Sequence, residues 1–161
     1  MQTGDRAQVE ISAGILARLS VIAMSALPYE TGGLLIGWRD SDRVVVSGWL
    51  ELPTTISRTS RFEIDPGMAN EALKRYLKGA SIALEGYVGT WHTHPTLVPP
   101  SLVDLNTFRT SAGAAQAPLA FVVLATDGDA STAYVTWASH KDGEVAVEAE
   151  PLISVKGASR A

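Results

Sequence analysis

The run Gly32-Gly33-Leu34-Leu35-Ile36-Gly37-Trp38 constrains the fold more than any other stretch. It has no polar side chain and contains three glycines. Such a run reads as a buried strand that other backbone approaches closely. A buried strand needs a sheet around it and helices to cover it. The rest of the chain supplies both. Val9 to Ile11 reads as a short strand, and Ser12 caps a helix to about Ala26, with Ile15, Leu19 and Ile22 on one face and Pro28 past its end. Asp40-Ser41-Asp42 makes a turn into a strand from Arg43 to Leu52. Phe62-Glu63-Ile64 reads as a brief strand, and Asp65-Pro66 opens a helix to about Lys78.

Tyr87 to Thr93 reads as a central strand, followed by a loop, Pro95 to Pro100, with three prolines. Ser101 starts a helix with Leu102, Leu105 and Phe108 spaced for burial. Leu119 to Ala125 is a continuous apolar strand, and Asp127-Gly128-Asp129 turns it into a hairpin with Ala133 to Trp137. Glu144 to Pro151 adds an edge strand. This order of helices and strands predicts an α/β fold with a mixed sheet. The domain is expected over 1–155, with a small polar tail over 156–161.

Composition narrows the function classes. The chain has 161 residues, 46 % of them hydrophobic and 19 % charged, which suits one domain with a real core. At this length roughly two-thirds of the unfolded surface can be buried, so no disulfide is required. There is no cysteine, which excludes a thiol nucleophile and any Cys-based metal site and agrees with a reducing cytoplasm. The net charge is −4, with no basic cluster to replace the counterions of nucleic acid. The first residues lack the apolar stretch of a signal peptide. Ile15 to Leu27 is too short for a membrane span and reads as a core-facing helix.

The chemistry concentrates in Trp91-His92-Thr93-His94-Pro95 and Ser101-Leu102-Val103-Asp104. Alternation on a strand puts His92 and His94 on one side, roughly 6–7 Å apart, so that both can reach one ion. Asp104, one helical turn after Ser101, can supply an oxygen if the proline loop folds the helix back onto the strand. Two nitrogens, one oxygen and an open position make the pattern of a catalytic zinc, which lowers the pKa of bound water to about 7. Glu30, at the mouth of the glycine-rich strand, is the candidate general base, and Ser101 the candidate oxyanion donor. Taken singly, each feature has a plainer explanation. His-x-His can be incidental, Ser-x-x-Asp can be a helix cap alone, and Glu30 can be a surface carboxylate.

In combination, Glu30-Thr31-Gly-Gly, His92-Thr93-His94-Pro95 and Ser101-x-x-Asp104 resemble the JAMM (JAB/MPN+) zinc metalloproteases, particularly the minimal bacterial members. The segment Phe62 to Pro66 also resembles the one before the second helix of bacterial relatives. The resemblance implies a single domain with a mixed, curved sheet flanked by helices. That fold is similar to the cytidine deaminases, whose cysteine ligands are absent here. It implies one zinc ion on His92, His94 and Asp104, with Glu30 as general acid/base and Ser101 as oxyanion donor. It implies hydrolysis of isopeptide or peptide bonds at the C-terminus of a ubiquitin-like protein, with that protein or its conjugate as partner. Two other functions stay open: a silent module that binds a ubiquitin-like tail, and a zinc peptidase acting on small, cell-wall or phage-tail peptides. One departure is that Pro95 to Val103 is one residue shorter than the family's usual spacing, which leaves the shape of the loop open.

Other residues receive quieter roles. Trp91 alternates away from the histidines into the core, and Trp38, Trp49 and Trp137 read as core or sheet-edge residues. His140 is expected in a solvated turn, and Glu63 and Asp65 on the surface and at a cap. By the resemblance, the polar strip Thr54 to Arg61 could hold an extended substrate tail by strand addition.

Overall fold

The computed structural model describes residues 8–40, 43–53, 62–79, 84–139 and 145–151. The elements run β1 (Gln8–Ile11), α1 (Ala13–Ala26), β2 (Gly32–Arg39), β3 (Arg43–Leu52), α2 (Pro66–Gly79), β4 (Gly86–His94), α3 (Leu102–Ala115), β5 (Leu119–Thr126), β6 (Ser131–Ala138) and β7 (Val145–Pro151). The strands make one mixed sheet in the order β1-β3-β2-β4-β5-β6-β7. The pairs β1–β3 and β4–β5 are parallel and the others antiparallel. The sheet curves until β1 comes near β6. Ser41, Asp42, the strip Thr54 to Arg61, His140 and the expected tail lie outside the described residues. No helix among the described residues is long and apolar enough to cross a membrane.

Helix α1 covers one face of the sheet. Its start is fixed by Ser12, whose Oγ accepts from the Ile15 N–H at 3.1 Å. The buried stripe runs through Leu16, Leu19 and Ala23, against Leu35, Val44, Val88, Trp91 and Val122. The expected face is thus rotated slightly, with Ile15 and Ile22 on its flanks. Burying each such Leu or Val is worth about 1.5–3 kcal/mol. Trp91 is fully buried here, and its indole N–H donates to the Leu50 carbonyl at 3.1 Å.

Helices α2 and α3 cover the opposite face. Helix α2 begins where Asp65 accepts from the Gly67 N–H at 2.9 Å, as the sequence predicts. Its Leu73 and Tyr76 pack against Leu34, Ile36 and Leu52. Helix α3 sets Phe108 and Ala112 on Leu119, Phe121 and Val123. The Phe108 and Phe121 rings stack with centroids 4.1 Å apart. Two expectations fail on this face. Leu102 is 80 % exposed, because at about 100° per residue it lies roughly 120° around the helix from Phe108. Phe62 to Ile64 pairs as no strand; Phe62 and Ile64 instead pack into the α2 cluster.

The glycines of β2 meet backbone as the sequence predicts. A Cβ at Gly33 or Gly37 would strike the Leu50 or Val45 carbonyl oxygen. The decisive glycine is Gly89 on β4. Leu35 pairs with Gly89 but Ile36 pairs with Tyr87, so β4 carries one extra residue at this point. Gly89 has a φ of 154°, and a Cβ there would strike the Ala120 carbonyl oxygen. The bulge reverses the alternation of side chains. Tyr87 and His92, five residues apart, therefore both face α2 and α3, whereas Val88 and Trp91 both face α1. Replacing Gly89 with Ala is expected to cost about 2–4 kcal/mol, since it combines a disfavoured φ with a backbone collision. Urea unfolding followed by circular dichroism measures the loss.

Candidate metal centre

Three elements converge at the C-terminal end of β4. The register of β2 against β4 pairs Gly32 with His92. Reciprocal bonds extend the pairing one step beyond it. The Thr31 N–H donates to the Thr93 Oγ1 at 2.9 Å, and the Thr93 N–H donates to the Thr31 carbonyl at 2.9 Å. Glu30 then stands across from His94. It is 7 % exposed, and its carboxylate lies within 4.8 Å of ligand nitrogens of both histidines. The donor atoms of Glu30, His92 and His94 could hold a metal ion.

The third element is the first turn of α3. The Ser101 Oγ accepts from the Asp104 N–H at 3.1 Å, and Asp104 Oδ2 accepts from the Ser101 N–H at 2.8 Å. The pair is a capping box, as the plainer reading holds. The same carboxylate nevertheless reaches the histidines. Asp104 Oδ1 lies 3.4 Å from His92 Nε2, Oδ2 lies 3.3 Å from His94 Nε2, and the two Nε2 atoms are 3.3 Å apart. A tetrahedral ion with bonds of about 2.0–2.1 Å holds its ligands about 3.3–3.4 Å apart. The two Nε2 atoms are spaced as two ligands of one such ion, and each faces a different oxygen of the Asp104 carboxylate. The shortened loop still brings Asp104 to both imidazoles.

The loop itself contributes a group that no sequence pattern marks. His94 Nδ1 lies 3.1 Å from the Val98 carbonyl oxygen, and the Val98 N–H donates to the Thr96 carbonyl at 2.8 Å. A carbonyl acceptor at Nδ1 holds the proton there and leaves Nε2 free to face an ion. Phe108, one turn after Asp104, anchors α3 and sets its ring 6.2 Å from that of His92. Phe62, expected in a brief strand, contributes in another way. Its ring fills the notch above Gly32, where a Cβ would collide with it, and its backbone N–H approaches the Glu30 carboxylate. Both groups depend on tertiary contacts, so composition and spacing gave no signal for them.

Electrostatics separate the two carboxylates. Burial raises the Glu30 pKa above the ordinary glutamate value, and it outweighs the lowering by His92 and His94. Burial acts in the same direction on Asp104. There the hydrogen bonds from His92, His94 and the Ser101 backbone prevail and hold the carboxyl far below the usual range. Burial lowers the His94 pKa, but Asp104 and the Val98 carbonyl raise it further, for a net rise. Ser101 is exposed at the positive end of α3. Its oxygen serves as acceptor in the cap, so the hydroxyl proton is free to donate. The centre stands at the mouth of a cavity of about 1070 Å³.

The fold agrees with the comparisons to known proteins. Residues 12–140 match the family described as prokaryotic homologs of the JAB domain, and the chain belongs to that family. The solution structure of protein DSY2949 from Desulfitobacterium hafniense superposes with a TM-score of 0.61 at 24 % identity, over 91 % of this chain and 90 % of that one. The crystal structure of AF2198, a JAB1/MPN domain protein from Archaeoglobus fulgidus, superposes with a TM-score of 0.48 at 21 % identity, over 85 % of this chain and 94 % of that one. No curated protein matches the chain.

Adding zinc to chelator-treated protein is expected to raise its thermal midpoint, by the equivalent of about 2.7 kcal/mol when free zinc is a hundredfold above Kd. His94→Ala removes one edge of the site and should abolish that rise. Differential scanning calorimetry on both proteins reads the difference.

Proposed function

We propose that the chain is a zinc-dependent peptidase that hydrolyses isopeptide or peptide bonds at the C-terminus of a ubiquitin-like protein. The observation that carries the enzymatic part is the convergence of the His92 and His94 Nε2 atoms, 3.3 Å apart, on the Asp104 carboxylate, with a second, buried carboxylate at Glu30. Membership of the JAB family supports the substrate class.

His92, His94 and Asp104 are the ligands in this reading. Glu30 also lies within reach, but Asp104 sets one carboxylate oxygen against each imidazole and is the carboxylate held ionised. Bound there, zinc would act as a Lewis acid toward the scissile carbonyl and would lower the pKa of a water to about 7. Glu30 takes the proton from the attacking water. Its raised pKa makes it a stronger base than an ordinary glutamate and lets it keep the proton long enough to pass it on. Ser101 donates its hydroxyl to the developing oxyanion, aided by the positive end of α3. Glu30 then gives its proton to the departing amine. A chain without cysteine suits this work in a reducing cytoplasm.

Glu30→Gln keeps the shape of the side chain and removes the base. Turnover of a ubiquitin-like fusion should fall by about 10²–10⁴-fold, the usual worth of a general base. Bound zinc, measured by atomic absorption, should remain near one per chain. Unchanged turnover in this variant would reject Glu30 as the base.

A further inference from the structure

The apolar layer beneath α2 and α3 is divided. One cluster gathers Leu34, Ile36 and Leu52 under α2; another gathers Phe121 and Val123 under Phe108 of α3. Tyr87 is the one partly buried residue common to both. Helix α2 also has no fully buried residue, although Ala69, Leu73 and Tyr76 face its cluster. An interior is normally filled to the density of an organic crystal. Here the space between the helices is left open, and it is continuous with the cavity that begins at His92.

The chemistry of this gap is uniform. Its apolar walls come from Leu34, Ile64, Leu73 and Phe108, and its polar groups, such as Thr90 and Ser111, are neutral. The charged residues that border the cavity are Glu30, Asp104 and Glu63. The first two belong to the reactive centre, and Glu63 lies exposed on the segment before α2. A charged side chain entering the gap would lose its water against neutral walls, away from the carboxylates at the cavity's border. An apolar one would exchange water for wall. The whole cavity, reactive centre included, is about 1070 Å³, at the upper end of pockets that enclose most of a small ligand, about 300–1,000 Å³.

Position decides which part of a substrate enters. Glu30 delivers its proton to the departing amine, so the amine component lies on the Glu30 side. The wall of the gap begins on that side, at Phe62, whose N–H approaches the Glu30 carboxylate and whose ring covers Gly32. We propose that the gap between α2 and α3 receives the residue on the amine side of the scissile bond, and that this residue bears a bulky, uncharged, apolar side chain. The inference rests on the peptidase reading above, because the roles of Glu30 and the ion orient the substrate.

The test uses amine products as probes. L-leucinamide and L-phenylalaninamide are titrated into the zinc-loaded protein by calorimetry, beside glycinamide, L-lysinamide and L-glutamic acid α-amide. The apolar amides should bind about tenfold or more tightly than the small and charged ones. Amide shifts in NMR spectra should move at Leu73, Thr90 and Ser111. Ser111→Trp fills the gap from α3, and Asn70→Trp fills it from α2 at an exposed position. Either variant, shown folded by circular dichroism, should weaken leucinamide at least tenfold and leave zinc stoichiometry unchanged. Equal binding of leucinamide and glycinamide, or shifts confined to other surfaces, would overturn the proposal. The peptidase reading fails separately, if wild-type protein takes up no zinc. Repeating the titration on metal-free protein distinguishes the two failures, since the gap itself contains no ligand to the ion.

Discussion

The register between β2 and β4 is the constraint on which the site depends. Two bonds between Thr31 and Thr93 lock the strands one step past the last ladder pair. That step places Glu30 across from His94. The Gly89 bulge acts upstream on the same strand, turning His92 and His94 toward α2 and α3 while Trp91 stays in the core with α1. A shift of one residue in either feature would exchange the faces and bury the imidazoles under α1. The site is therefore a consequence of backbone pairing before it is a matter of side chains.

Asp104 joins two functions that are usually treated as alternatives. It closes the capping box of α3 and faces both imidazoles with the same carboxylate. The cap fixes the rotamer, so the oxygens are held in place beside the imidazoles. The carboxylate and the two imidazoles, from a helix and a strand, are thus preorganised toward one another. The stacking of Phe108 on Phe121 fixes the helix itself. The consequence appears in the carboxylates, whose pKa values are driven apart. Asp104 is held ionised by donors on several sides, and Glu30 is pushed toward the neutral form by burial. Such divergence suits the proposed roles of Asp104 as ligand and Glu30 as proton carrier.

The opposite face of the sheet shows the same economy. Helices α2 and α3 cover different strands and leave a neutral gap between them that opens at the reactive centre. The incomplete packing of α2 sacrifices some burial. It also leaves the chain with a cavity, the proposed seat of a substrate side chain.

Much of this was legible in the sequence because it is local. Ser12, Asp65 and Ser101 announce three helices by capping chemistry, and each cap forms as predicted. The glycines of β2 announce close backbone, and period-two alternation places His92 beside His94. The resemblance to JAMM proteases gathered Glu30, Ser101 and Asp104 with them, and the family assignment agrees. What the sequence could not supply is set by contacts between distant segments. The Val98 carbonyl behind His94 is a backbone group with no side-chain signature. Leu102 fits a helical period yet lies in water, because the period does not say where the sheet ends. The notch of Gly32 filled by Phe62, and the gap between α2 and α3, exist only once the layers are stacked. Sequence by itself determined which residues are candidates for the chemistry and which elements hold them. Tertiary structure alone decided the distances among them and the shape of the space they face, because packing and register act between residues far apart in the chain.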